Sequence, residues 1–371
     1  MANIINLYQF ILIFVGVCKL LIVMYMSNSE IQQDDISGIG EFGLIRRLTR
    51  DIKIINSSTC LGVGDDAAVL DYHDKRAVVS TDLLAEGIHF NLVYTPLKHL
   101  GYKAAVVNFS DIYAMNARPK QLLVSIAISR KFTISMVEAL YSGIILACEH
   151  YGVDLIGGDT ASSLTGLTIS CTAIGEGSDQ DLVYRTGACT NDLICVSGDL
   201  GGAYMGLQVL ERERRLFEDH SDVQPLLKGY DYILERQLKP EARHDIIDLL
   251  KDLTIKPTAM IDISDGLSSE LLHICQSSDK GCRIYSDKIP IHSETRLVAR
   301  EFEIEPVIAA LNGGEDYEML FTVPVSVFDK IGKRPEISII GHIIDHTEGT
   351  VMITPAGLPV RLEAQGWNAL R

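Results

Sequence analysis

The sequence predicts a mixed α/β chain built in two parts, and three observations carry this. The chain has 371 residues, more than one ordinary hydrophobic core accommodates. Short apolar runs of strand character alternate with longer stretches whose apolar residues recur every three to four positions. Apolar residues make up 47% and charged residues 22%, a globular rather than a disordered composition.

Residues 1–39 form a hydrophobic leader and a polar linker, and organised pattern begins at Gly40. A helix over 41–50 leads to a Gly-Asp loop at 62–66, and alternation over 76–80 predicts a strand ending at Thr81-Asp82. Residues 97–117 read as a helix with Leu97, Leu100, Ala104, Val107 and Ile112 on one face, and Pro119 prevents its continuation. A strand at 122–128 and a second amphipathic helix at 133–151, stopped by Gly152, follow. A short buried strand at 154–156 runs into Gly157-Gly158-Asp159-Thr160, and another strand spans 168–174. These elements define a first unit over 40–178. The second unit, 179–371, opens with a strand at 193–197, a glycine turn and a helix over 202–215. The charged stretch 211–222 is expected to be a solvated face and linker. A helix over 241–253 is expected to carry Pro240 at its first turn. A strand at 260–263, a helix at 266–277 and strands near 283, 318–323, 337–341 and 350–354 complete the chain.

A formal net charge of −16 and the lack of a long Lys/Arg run argue against nucleic-acid binding. The eight cysteines are scattered without paired spacing, which reads as reduced thiols in a cytoplasmic protein. Residues 4–26 are nearly all apolar and long enough to span a bilayer, although Lys19 interrupts them. Three readings stand: an upstream start codon with Met24 or Met26 as the true first residue, a membrane anchor, or a peripheral helix. Membrane contact follows only if this segment is real.

The acids carry the functional signal. Asp65 and Asp66 fall in a Gly-rich loop, Asp82 at a predicted strand end and Asp111 late on a helix. Asp159 follows two glycines, and Asp262 and Asp265 flank Ser264 between a strand and a helix. Two carboxylates brought to 4 Å repel by about 4 kcal/mol at an effective dielectric near 20. An all-oxygen set that includes Ser80 and Thr81 points to Mg²⁺, and Mg²⁺ held by carboxylates points to phosphoryl transfer. Plainer roles stay open: Asp265 as a helix cap, Asp66 as a turn residue, Asp111 as a surface acid. The turn Gly198-Asp199-Leu200-Gly201-Gly202 is either a phosphate-binding helix N-terminus or a tight connection. Taken alone, His89 is a surface or satisfied histidine.

The segments GVGDDAAVL (62–70), STDLLAEGIHF (80–90), NFSDIYAMNARP (108–119), LIGGDT (155–160), DISDGLSSEL (262–271) and NGGEDYEMLFTV (312–323) resemble the thiamine-phosphate kinase family in order and approximate spacing. That family lies in the aminoimidazole-ribonucleotide-synthetase-like superfamily. The resemblance covers residue 40 to the C-terminus and implies a two-domain fold whose N-terminal sheet pairs across a homodimer. It implies ATP-dependent phosphorylation of thiamine monophosphate to thiamine diphosphate by direct in-line transfer, with several Mg²⁺ ions. By motif it makes Asp65, Ser80, Thr81, Asp82, Asp111, Asp159, Asp262 and Asp265 metal ligands. Tyr141, Gly158, Asp159, Arg185 and Ser264 match nucleotide contacts. His89, Glu315 and Trp367 match the substrate side, where an aromatic face and a carboxylate suit a thiazolium cation. Trp367 reads equally as a packing anchor for the tail. Thr186 and the closing Asn-Ala-Leu-Arg depart from common family forms. A sister enzyme of the selenophosphate or aminoimidazole-ribonucleotide synthetase type, and a non-catalytic nucleotide or Mg²⁺-binding module, are the alternatives.

Overall fold

A computed structural model describes residues 44, 47–61, 63, 69–219 and 224–364. The leader, the acids Asp65 and Asp66, and Trp367 lie outside the described residues. A two-stranded hairpin, β1 (Thr59–Leu61) and β2 (Val69–Leu70), brackets the first acidic loop.

The first sheet follows from three stretches of strict alternation and one glycine-bearing run. Its strands are β3 (Arg76–Ala85), β4 (Arg118–Ile128), β5 (Asp154–Ser162) and β6 (Thr168–Gly177), in the order β3-β6-β4-β5. Only β4 and β5 pair in parallel. Two helices connect these strands: α1 (Leu97–Ala114) between β3 and β4, and α2 (Ile134–Tyr151) between β4 and β5. The Thr133 hydroxyl caps α2 by accepting from the Met136 N–H. The two helices touch backbone to backbone at Gly101 and Gly143. A Cβ on Gly101 would stand 1.9 Å from the Leu140 carbonyl, and one on Gly143 would stand 1.8 Å from that of Lys98.

The second sheet comprises β7 (Leu193–Ser197), β8 (Ala259–Asp262), β9 (Lys280–Tyr285), β10 (Met319–Val323), β11 (Ile337–Asp345), β12 (Thr350–Ile353) and β13 (Pro359–Arg361). Their order is β13-β12-β9-β11-β7-β10-β8, antiparallel except for β12 beside β9. Its longer helices are α3 (Gly202–Asp219), α4 (Asp231–Leu238), α5 (His244–Asp252), α6 (Leu267–Ser278), α7 (Ser293–Glu301) and α8 (Pro306–Asn312); a single turn, α9 (Phe328–Ile331), follows β10.

Several expectations are corrected. Helix α1 is buried nearly all round, not along one face, because it packs against α2, the first sheet and β8 of the second. Its fully buried Phe109 and Ile112 each contribute about 1.5–3 kcal/mol of burial. The helix ends at Ala114, and Pro119 sits inside β4. Strand β3 runs three residues past Asp82, and β5 carries Gly157-Gly158-Asp159 within it. Helix α5 starts at His244, so Pro240 lies before it rather than in its first turn. The charged stretch after 211 continues α3 to Asp219, held by Arg214 pairing with Glu211 and Glu218 and by Arg212 with Glu301. Helices α4, α7 and α8 are too short for a clear period, and the sequence pattern missed them.

Candidate active site

Alternation along β3 turns Ser80 and Asp82 toward α1. On that helix Asn108, Ser110 and Asp111 interrupt an apolar surface. The Ser80 hydroxyl donates to Asp111 Oδ2 at 2.5 Å, and Asn108 Oδ1 accepts from the Asp82 N–H at 3.1 Å. From the second sheet, Asp262 ends β8 against Ser110, whose hydroxyl donates to its Oδ2 at 2.6 Å. Ser80, Asp111 and Asp262 line one cavity of about 430 Å³ with Tyr184, Arg185, Thr186, Met260 and Ser277. It opens at the junction of the two sheets.

The electrostatics show the strain of this gathering. Burial, and then the charge of Asp111, pushes the Asp82 carboxyl up to about 6. Burial raises Asp111 too, against the pull of the Ser80 hydrogen bond and Arg185. Asp262 reaches about 7, through burial first and then Asp111 and Asp82. Asp265 is raised by partial desolvation of its carboxyl, with His273 opposing. Among the described residues Arg185 is the cation that draws Asp111 down, and the site presents oxygen ligands with little positive charge beside them.

The Ser264–Asp265 turn lies between β8 and α6, and both residues are exposed. Asp265 is not a helix cap: Gly266 holds that position, at φ +114°, without a side-chain cap bond. Instead the buried Glu270 reaches back, its Oε1 accepting the Asp265 N–H at 3.1 Å. Burial pushes Glu270 up to about 8. Sequence reading missed Glu270, Asn108 and Ser110. The visible signal for the last two was polar residues inside an apolar helix.

The structure does not bring all the predicted ligands together. The Thr81 side chain points to the other face of the sheet, where it donates to the Cys171 carbonyl at 3.0 Å and meets the Thr172 hydroxyl at 2.9 Å. The period of two in a strand forbids it from joining Ser80 and Asp82. Asp82, Cys171, Val124 and Gly158 form one row across the sheet. Three strand spacings put Gly158 roughly 14 Å from Asp82. The adjoining Asp159 lies on the Thr81 face, its Oδ1 accepting the Thr160 N–H at 2.9 Å. Among the described residues, no three His, Cys, Asp or Glu side chains are close enough to hold one ion.

Of the other predicted contacts, Gly158 is exposed on β5, and a Cβ there would meet the Val124 carbonyl at 1.8 Å. Tyr141 is only 8% exposed, and its phenol is raised by burial and by Cys171 within the core. His89 is exposed, its Nδ1 accepting the Ala85 N–H at 3.0 Å. Glu315 is not a free carboxylate for a cationic ring, because Lys103 Nζ lies 2.9 Å from its Oε1.

The turn at 198–202 is also decided. Asp316 accepts from the Gly201 N–H at 2.7 Å and the Ala203 N–H at 3.4 Å, filling the N-terminus of α3 with a carboxylate of this chain. The adjacent Glu318 accepts from the Ser197 hydroxyl at 2.5 Å and pairs with Arg236 and Arg243. This turn is a structural connection.

Residues 64–176 match the family model of the AIR synthase related protein N-terminal domain, and 190–354 match that of its C-terminal domain. The chain is 34% identical over 334 residues to the thiamine-monophosphate kinase of Bacillus subtilis, covering 88% of this chain and 98% of that protein. It is 35% identical over 286 residues to that of Aquifex aeolicus, covering 77% and 86%. A solved structure of AaThiL complexed with AMPPCP and TMP aligns with a TM-score of 0.68 at 31% identity, covering 90% of this chain and 98% of that one. A hydrogenase maturation protein HypE in complex with ATP shares the fold, with a TM-score of 0.67 at 20% identity. A mixed α/β, two-domain fold, an oxygen-rich cavity at the junction of its sheets and these relationships agree: the chain belongs to the thiamine-monophosphate kinase family.

Proposed function

We propose that this chain transfers the γ-phosphoryl group of ATP to thiamine monophosphate, giving thiamine diphosphate and ADP. The observation that carries it is the convergence of Ser80 from the first sheet, Asp111 from α1 and Asp262 from the second sheet on one cavity that also holds Arg185, with Asp82 near enough to raise Asp262. The donor set fits a hard divalent cation: its atoms are oxygens, and its carboxylates are raised by burial and mutual repulsion. Asp82, Asp111, Asp262 and Asp265, with Asp65 from the first loop, would hold Mg²⁺ in ones and twos, leaving coordination places for phosphate oxygens. When bound, Mg²⁺ supplies positive charge between these carboxylates and the phosphates. Thr81 takes no part through its side chain. Asp159, with Gly158, would serve the nucleotide at the far side of the sheet.

The chain's own groups position the reactants. Ser80 and Ser110 fix the Asp111 and Asp262 carboxylates, and Arg185 faces the phosphates. Thiamine monophosphate is largely dianionic at neutral pH, because its second pKa is about 6. Its phosphate oxygen attacks the γ-phosphorus in line while the bond to the β–γ bridging oxygen breaks and ADP leaves. No side chain need remove a proton, and no phospho-enzyme forms.

The chain divides into a first unit over 40–178 and a second over 179–371, a reading supported by a first sheet that ends at Gly177 and a second that begins at Leu193. Two copies of the chain would form a homodimer through the open face of the first sheet, where Val79 is 61% and Leu83 58% exposed. A cytoplasmic location accords with the seven unpaired cysteines among the described residues, where no helix is long and apolar enough to cross a membrane. A coupled assay of ADP release on adding thiamine monophosphate tests the reaction. Asp82→Asn is expected to reduce the rate at least 100-fold in a folded protein. Substrate-independent ADP release by the unaltered chain, or full activity in the variant, refutes the assignment.

A further inference from the structure

One buried cation stands outside the acid cluster. Lys103, on the second turn of α1, is 4% exposed. Its ammonium crosses to the other half of the molecule, where it meets Glu315 Oε1 at 2.9 Å and the Gln237 carbonyl at 3.1 Å. Glu315 Oε2 accepts from Gln237 Nε2 at 2.7 Å. The carboxylate is thus gripped on both oxygens, by α1 on one side and the end of α4 on the other. Its own backbone is held in the left-handed region, at φ +58°, beside Gly314 at +71° and two residues before Tyr317 at +53°. Such conformations persist only where the surroundings enforce them. Here the Glu315 N–H donates to the Ser264 carbonyl at 2.7 Å, and the Tyr317 N–H to that of Ile263 at 2.8 Å. Two backbone hydrogen bonds therefore tie the Glu315 segment to the Ile263–Ser264 stretch.

A buried ion pair adds little net stability over well-packed apolar residues, so stability alone does not account for this one. What the arrangement does achieve is orientation. Two of the four lone-pair directions of the carboxylate are taken, and the Glu315 side chain remains 29% exposed, so an accepting edge stays open. Pairing with Lys103 also removes the net charge that a diffuse cation such as thiazolium would seek.

We propose that Lys103 is a positioning residue for substrate recognition: it holds Glu315 in the one rotamer that presents a charge-cancelled acceptor edge to an N–H donor of the substrate. Resting on the reaction assigned above, the donor class is the exocyclic amine of an aminopyrimidine. Glu315 thereby distinguishes thiamine monophosphate from an analogue that carries a carbonyl, which cannot donate, at that ring position.

Steady-state kinetics on Lys103→Met, Glu315→Gln and the double variant test this, with far-UV circular dichroism and a urea midpoint for each. In Lys103→Met the KM for thiamine monophosphate rises about tenfold or more, while the KM for ATP stays within about twofold. The double variant is no worse than the poorer single, because both changes act through one carboxylate. The unaltered enzyme prefers the amine over the carbonyl analogue, and Lys103→Met loses most of that preference. A folded Lys103→Met enzyme with an unchanged KM for thiamine monophosphate, a loss confined to kcat, or effects that add in the double variant overturns the proposal. If Lys103→Met does not fold, the charge-balanced double variant decides by comparison with Glu315→Gln alone: an equal KM for thiamine monophosphate supports the role, and a further rise overturns it. An unaltered chain that releases no ADP on adding thiamine monophosphate refutes the reaction itself, a separate failure.

Discussion

Replacing Asp262 by Asn removes a charge that the fold holds almost wholly out of water. The native carboxyl is pushed up to about 7 from an ordinary 3.8. Between those values the native state binds more protons than the unfolded chain, so stability falls as pH rises through that window. Once Asp262 is ionised, at pH 8, the accumulated cost is about 4 kcal/mol at roughly 1.4 kcal/mol per pH unit. Asparagine still accepts the Ser110 hydroxyl, but its buried amide group returns about 2 kcal/mol of that gain. The variant is therefore expected to be about 2 kcal/mol more stable than the native protein at pH 8 without divalent cations. The assay is urea denaturation in EDTA at pH 8 and pH 5.5, with ADP release measured in parallel. At pH 5.5 the native Asp262 is mostly protonated, and the difference should shrink well below its value at pH 8. Millimolar Mg²⁺ should stabilise the native protein and not the variant, whose ADP release falls at least 100-fold. A variant less stable than the native protein at pH 8, or a difference independent of pH, refutes a buried charge at this position.

Other outcomes follow from the geometry. Ser80→Ala frees Asp111 and should cut activity about tenfold or more, whereas Thr81→Ala, altered on the opposite face, should stay within about twofold; equal losses would refute the separation of faces. Gly158→Ala forces a Cβ against the Val124 carbonyl. It should cost about 3 kcal/mol, seen as a fall in Tm of about 6–10 °C in thermal unfolding. Val79→Asp should convert a dimer to a monomer in analytical ultracentrifugation, and an unchanged sedimentation coefficient would exclude that face from the interface.

What was legible from the chain alone is chemistry with local support. Strict alternation and period-3.6 runs marked both β3 and α2, because backbone geometry repeats within a few residues. Short acids at strand ends and loops pointed to the site, and Asp82 and Asp111 lie near enough to Asp262 to raise its carboxyl. Whether a residue belonged to that meeting was another matter. Ser80 and Thr81 are neighbours in sequence, yet the pleat sends them to opposite faces. Asp159 shares the chemistry of Asp82 but stands three strands away, because the sheet order β3-β6-β4-β5 does not follow chain order. Glu315 looked like a free receptor until α1 brought Lys103 to it across 212 positions of chain. Residue type and local period fix what a segment offers, whereas pairing register, strand order and the closure of one half on the other depend on contacts between distant residues. No stretch of sequence holds those contacts, and so tertiary structure alone decided which acids stand together, which face the other way, and which charge is already paired.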